Sequence, residues 1–219
     1  HDPICVCLQE THLKHGQPYG LRNYNIVRKD DDVHVRAAGG VAIITKLEAR
    51  SKEIQLNTRL QAVAVRMSHP VLASICSLYL PRDDWEIADL ENLLDQLPVP
   101  LLLVGDFSAH SPIWGSEARD SRGRKIEELL ERDDIVLLNT GASTYFNARA
   151  SNFHAIDLTF ASPVLAARLE WRPLDDLHNS DHFPIAIGTD SHRTPVITPR
   201  RWNLEKAHWA SFEEKMWIP

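Results

Sequence analysis

Long apolar runs are missing from this chain of 219 residues. No stretch approaches the roughly 18–20 consecutive apolar residues that a helix needs to cross a bilayer, so no membrane partner is expected. No charged segment leading into an apolar core opens the chain, and no secretory signal is read there. Cysteine is scarce: Cys5, Cys7 and Cys76 are the whole supply. An odd number, set inside apolar strands, speaks against a disulfide framework and for reduced thiols in an intracellular protein. No second Cys or His pair stands at zinc-ligand spacing. Internal repeats and low-complexity segments are also absent. Positive charge is in deficit, with a net charge of −6, which counts against a broadly basic nucleic-acid surface. Local clusters matter more than the sum. Arg119, Arg122, Arg124 and Lys125 form one, and Arg193, Arg200 and Arg201 another; each reads equally well as a solvated face.

What is present is a string of apolar strands separated by turn signals. Hydrophobic residues at 43% and charged residues at 25% fit a soluble globular domain. Strands are expected at Ile4–Leu8, Tyr24–Val27, Val41–Thr45 after Gly39-Gly40, and Gln61–Met67. Val71–Leu80 should follow a His69-Pro70 turn and pair with Gln61–Met67 as a hairpin. Ile87, Leu90, Leu93, Leu94 and Leu97 recur at helical spacing, with Asp83 as the expected cap, Glu86 three residues on, and Pro98 and Pro100 as the stop. Leu101–Val104 is a fully apolar strand. A second helix should start at Ser121 and turn Ile126, Leu129 and Leu130 inward. Asp134–Leu138, Thr144–Phe146, Ala155–Phe160 and Phe183–Ile187 read as strands and Pro163–Leu169 as a short helix. Strands with a few interposed helices predict two packed sheets flanked by helices. The domain should span 1–190. Residues 191–219 begin as a Pro-containing polar linker and end in a segment carrying Trp202, Trp209, Phe212 and Trp217.

Acids stand where buried strands run out. Gln9-Glu10-Thr11-His12 follows the first strand, Gly105-Asp106-Phe107-Ser108 ends another, and Ser180-Asp181-His182 precedes the last. Carboxylates converging on one rim suit a hard cation and hydrolysis. Asp157 lies within the apolar run Ala155–Phe160. A charge there is costly to bury unless paired, and His182 is the candidate partner. Asp157 on one imidazole nitrogen would orient the other toward a phosphate. His12, His15, His34, His69, His178 and His208 read as ordinary surface or core histidines.

These motifs, with Ser77-Leu78-Tyr79 and Ile156-Asp157-Leu158, stand in the order found in the endonuclease/exonuclease/phosphatase superfamily, which residues 1–190 resemble. Val104 to Gly115, including Ser111-Pro112-Ile113-Trp114-Gly115, resembles the endonuclease domains of non-LTR (LINE-type, jockey-like) retrotransposons, as does Ile156 to Ser162. Arg201 to Trp209 is similar to the segment that joins this endonuclease to a reverse transcriptase in the same polyprotein. The resemblance implies an α/β fold, a four-layered sandwich of two packed mixed sheets flanked by helices, and a Mg²⁺-dependent DNA endonuclease, with Mn²⁺ as an alternative ion. It would nick double-stranded target DNA in the nucleus, so that the freed 3′-OH primes reverse transcription of the element RNA. The implied catalytic set is Glu10, Tyr79, Asp106, Asp157, Asp181 and His182. Glu10 and Asp181 would hold the metal, Tyr79 would contact the phosphate, and Asp106 would prepare water. Asp157 would hold His182, which would neutralise charge on the phosphoryl oxygens. Ser108, His110, Trp114 and Ser180 would bind substrate.

Two departures from the family pattern stand out. Ser108 occupies the place of an Asn, and the strand carrying another family Asn, which would precede Ile4–Leu8, is expected to be missing. Both point to an impaired enzyme. Two other readings compete: a phosphatase of the same superfamily, which should differ in the loop after Asp106, and a DNA-binding remnant that no longer cleaves.

Overall fold

Residues 2–14, 16, 20–30, 38–81 and 84–189 are described by the computed structural model. The chain divides between Thr189 and Asp190. The expected cap Asp83, the linker beyond Thr189 and the tail tryptophans lie outside the described residues.

In chain order the strands are β1 Cys5–Gln9, β2 Tyr24–Lys29, β3 Val41–Lys46, β4 Lys52–Ile54, β5 Gln61–Met67, β6 Ala73–Tyr79 and β7 Leu101–Asp106. They continue with β8 Val136–Leu137, β9 Tyr145–Asn147, β10 Asn152–His154, β11 Asp157–Ala161, β12 Glu170–Pro173 and β13 Ile185–Gly188. The helices are α1 Ile87–Asp95, α2 Ser121–Leu129 and α3 Pro163–Ala166. A six-stranded sheet has the order β4-β5-β6-β7-β11-β8, and a three-stranded sheet the order β1-β3-β2. β6 and β7 run parallel, because α1 returns the chain between them; β5–β6 and β7–β11 are antiparallel. β12 pairs with β13, and β9 with β10.

Two-residue alternation sorts the core into two layers. Ala62, Ala64, Cys76, Leu78, Leu101 and Leu103 turn to one face of the large sheet and pack against Leu90, Leu93 and Leu94 of α1 and Ile126 and Leu129 of α2. Val63, Val65, Ile75, Tyr79 and Leu102 turn to the other face and meet Val41 and Ile43 of β3. The result is the expected α/β sandwich. All three cysteines are free; Cys76 is buried and Cys5 and Cys7 half-buried.

The hairpin across His69-Pro70 forms with Gln61 opposite Tyr79. Its second strand starts later than expected, at Ala73, and Val71 and Leu72 remain in an exposed turn. α1 begins at Glu86, whose side chain and that of Asp89 reciprocally satisfy the open backbone amides of the first turn. The short strands β4, β10 and β12 went unrecognised, because half or more of their side chains face solvent and they carry little apolar alternation.

Gly105 allows the β6–β7 approach. A Cβ there would stand 1.9 Å from the carbonyl oxygen of Leu78, a backbone atom that cannot move aside. Gly105→Ala is expected to cost roughly 3 kcal/mol of stability or to abolish folding, measured by urea unfolding followed by circular dichroism.

Candidate active site

Strand register brings three site residues into one row. Tyr79 lies opposite Asp106 in the β6–β7 ladder, and Asp106 lies opposite Asp157 in the β7–β11 ladder. Partners across a ladder share a sheet face. Tyr79 belongs to the inter-sheet core, so all three point to the rim where that core ends. Asp106 and Asp157 are 5% and 7% exposed, as deeply buried as the surrounding core.

The second sheet delivers Glu10 to the same rim. Gln9 of β1 donates through its side-chain amide to the Ser77 hydroxyl at 2.8 Å. Beyond it Glu10 and His12 take left-handed backbone conformations. The Thr11 and His12 amides donate to the carbonyls of Gly40 and Gly39 at 3.2 and 2.8 Å. The loop is thereby folded back, and the Tyr79 hydroxyl donates a short hydrogen bond to Glu10 Oε1. His12, read as an ordinary histidine, lies 3.5 Å from Glu10 Oε2.

Asp157 and His182 meet as their chemistry suggested. The imidazole Nδ1 lies 2.9 and 3.0 Å from the two carboxylate oxygens. This leaves Nε2 for a ligand. Thr144, fully buried, organises the pair: its hydroxyl accepts from the Ile156 and Asp157 amides, and its carbonyl accepts from Phe183. The Asn139 side chain donates to the Asp157 carbonyl at 2.8 Å. The Tyr145 ring lies 4.8 Å from the His182 ring. Sequence reasoning missed Thr144, Asn139 and Tyr145; none sits in a motif whose residue type announces a role.

The profile of the family described as "Endonuclease-reverse transcriptase" matches residues 73–186. The chain belongs to the endonuclease–reverse transcriptase family. It is 25% identical over 208 residues to the RNA-directed DNA polymerase from mobile element jockey of Drosophila melanogaster, covering 93% of this chain and 22% of that protein. It is 24% identical over 219 residues to the probable RNA-directed DNA polymerase from transposon X-element of the same organism, covering 94% of the chain and 24% of that protein. The chain thus spans about a quarter of the length of the curated relatives it matches. The endonuclease domain of TRAS1, a telomere-specific non-LTR retrotransposon, superimposes with a TM-score of 0.66 at 22% identity, covering 85% of this chain and 86% of that one. An endonuclease/exonuclease/phosphatase protein from Beutenbergia cavernae gives 0.51 at 15% identity, covering 84% and 62%. The fold is the one shared by these two structures.

Four other residues expected in the endonuclease site behave differently from one another. Ser108, where the family pattern has Asn, bends back through a left-handed conformation; its amide and hydroxyl both donate to Asp106 Oδ1, at 2.8 and 3.0 Å. His110 lines an adjoining cleft of about 570 Å³ with Glu117, Arg119, Asp120, Phe153 and His154. The Ser180 hydroxyl accepts from the His182 amide at 3.1 Å and shapes the turn. Trp114 is the correction. It is fully buried, and its indole N–H donates to the Ala109 carbonyl at 3.0 Å, so it supports the loop from within and cannot touch substrate. Its apolar bulk in a loop is what drives it into the core.

Burial and neighbouring charges shift the proton affinities of the candidate site. Burial, then the charge of Asp157, pushes Asp106 up to about 6, against opposing help from His182 and Ser108. Burial works against the charged His182 ring, but the hydrogen bond and charge of Asp157, with Asp106 and Asp181, push it up to about 9. Burial and then the Glu10 hydrogen bond raise Tyr79, which keeps its proton at neutral pH.

The donors facing the rim are oxygens. Glu10 is half-exposed, and Asp181 is exposed, its carbonyl accepting from the Phe146 amide. No three His, Cys, Asp or Glu side chains among the described residues gather as a metal-holding group. A donor set of one or two carboxylates with the other positions left to water and phosphate fits Mg²⁺ and does not fit zinc.

A carboxyl raised in the folded state binds its proton more tightly there than in the unfolded chain, so Asp106 reduces stability as pH rises from about 4 through about 6. In chelator, Asp106→Asn should therefore raise unfolding free energy by roughly 1–3 kcal/mol at pH 8 and leave it nearly unchanged at pH 4, measured by urea titration. For His182, raised to about 9, the sign is the same in a higher window: its contribution is complete below about 6.5 and is lost as pH rises through about 9. Asp157→Asn should return the His182 titration, read by imidazole NMR, toward its ordinary value.

Proposed function

We propose that this domain is a Mg²⁺-dependent DNA endonuclease that nicks double-stranded target DNA in the nucleus and so primes reverse transcription by a polymerase in the same polyprotein. The observation that carries the reading is the Asp157–His182 pair set beside a buried Asp106 whose proton affinity is raised to about 6. An acceptor of this strength, next to an imidazolium with one free N–H, suits attack of water on a phosphodiester.

In this mechanism Asp106 accepts the proton of the attacking water as its oxygen bonds to phosphorus. The P–O3′ bond breaks, leaving a 5′-phosphate, and the departing 3′ oxygen takes a proton from solvent. His182 donates from Nε2 to a non-bridging oxygen and neutralises the charge that develops there, while Asp157 fixes its orientation. Tyr79 holds Glu10, which together with Asp181 would carry Mg²⁺; when bound, the ion supplies Lewis-acid stabilisation of the phosphoryl oxygens. Ser108 supports a weakened form of this enzyme. Its hydroxyl is spent on Asp106, and it reaches less far than an Asn amide, which offers both donor and acceptor.

A plasmid-nicking assay tests the proposal. Nicking should require Mg²⁺ or Mn²⁺, stop with chelator, and hold a plateau between about pH 6 and about 9, the values of Asp106 and His182. His182→Ala should lower the rate by about 10³-fold, and Ser108→Asn should raise it by up to about 10²-fold. Metal binding without any cleavage by the parent chain or by Ser108→Asn would favour the non-cleaving remnant instead.

A further inference from the structure

Arg122 stands in the basic cluster that sequence alone reads as a DNA contact or a solvated face. Its guanidinium is turned inward instead. Nε donates to the Phe107 carbonyl at 3.0 Å, and a terminal nitrogen donates to the same carbonyl at 2.6 Å and, in a short hydrogen bond, to the carbonyl of Leu80. Leu80 and Phe107 immediately follow Tyr79 and Asp106, beyond the ends of β6 and β7. At this point the parallel ladder is running out: the Leu80 amide still donates to the Asp106 carbonyl at 3.0 Å, and the Phe107 amide to Ile156 at 3.1 Å.

The sequence around Arg122 is arranged to hold it there. Asp120 caps α2, accepting from the Gly123 and His110 amides at 2.6 and 3.1 Å. Gly123 lets the first turn lie on the loop, since a Cβ there would stand 1.9 Å from the His110 carbonyl oxygen. The Trp85 ring lies 5.6 Å from the guanidinium. The same ring faces the Lys125 ammonium at 5.0 Å, and that ammonium is further held by the Trp85 carbonyl and Glu86. Arg119 is paired with Glu127 at 2.9 Å. Three of the four cations in the cluster are thus engaged within the fold.

We propose that Arg122 is a positioning residue of the nuclease site: by clamping the carbonyls of Leu80 and Phe107 it fixes Tyr79 and Asp106 side by side, and it does not contact DNA. The inference rests on the nuclease reading for its rate consequence and on geometry alone for the clamp. A planar fork can serve two carbonyls at once; an ammonium, a single point of charge, cannot hold both in this geometry.

The test compares Arg122→Lys, Arg122→Ala and the parent chain of 219 residues. Amide hydrogen exchange without metal should be at least about tenfold faster at Leu80 and Phe107 in both variants, with amides in the middle of β6 and β7 unchanged. On plasmid DNA, kcat should fall by about 10²-fold with KM and the salt dependence of DNA binding unchanged, and methylguanidinium should restore part of the Arg122→Ala rate. Three results would overturn the proposal: unchanged exchange at Leu80 and Phe107, faster exchange throughout the sheet, or a raised KM with a shallower salt slope, which would mark a phosphate contact. If neither the parent chain nor Ser108→Asn nicks at all, the nuclease reading fails, while the exchange measurement still decides the clamp.

Discussion

Two buried carboxylates on adjacent strands repel one another, and the site depends on how that repulsion is met. Asp106 and Asp157 are opposite each other in an antiparallel ladder, and water is nearly excluded from both. The structure meets the problem asymmetrically. The Asp157 carboxylate takes the imidazole of His182, while its backbone amide and carbonyl are held by Thr144 and Asn139. Asp106 has Ser108 as its hydrogen-bond partner among the described residues, and burial followed by the charge of Asp157 raises it to about 6. The two acids thus stand in different surroundings, one against an imidazole and the other against a serine.

Everything that keeps the row narrow therefore matters to the chemistry. Gly105 admits the close backbone approach of β6, and Arg122 spans the carbonyls just past the row. Tyr79 carries the row across to the second sheet through Glu10. The loop of Glu10 is itself folded back onto Gly39 and Gly40, where a side chain at Gly40 would meet the Thr11 hydroxyl at 2.5 Å. The domain thus joins the two sheets by polar contacts at this rim and by apolar packing between their inner faces.

Most of the large sheet was legible from alternation and from the turn at His69-Pro70, because a strand buried on both faces must be apolar along its length. The strands with exposed faces escaped, having little apolar pattern to show. At the site, Asp157 and His182 could be paired in advance because a charge inside an apolar run needs a partner. Trp114 misled, since an aromatic in a loop beside a catalytic motif reads as a contact surface, and only burial shows that it is a support. Arg122 could not be placed from sequence: net charge along a chain does not tell which cations fold inward to backbone carbonyls.

The sequence by itself determined the order of the acidic motifs, the superfamily they mark and the departure at Ser108, because these are matters of residue type and spacing. Only the tertiary structure decided which acid is raised by burial, which hydroxyl is already spent and which basic residue serves the fold. Those outcomes depend on ladder register and on exclusion of water, and neither quantity is encoded in any short stretch of the chain.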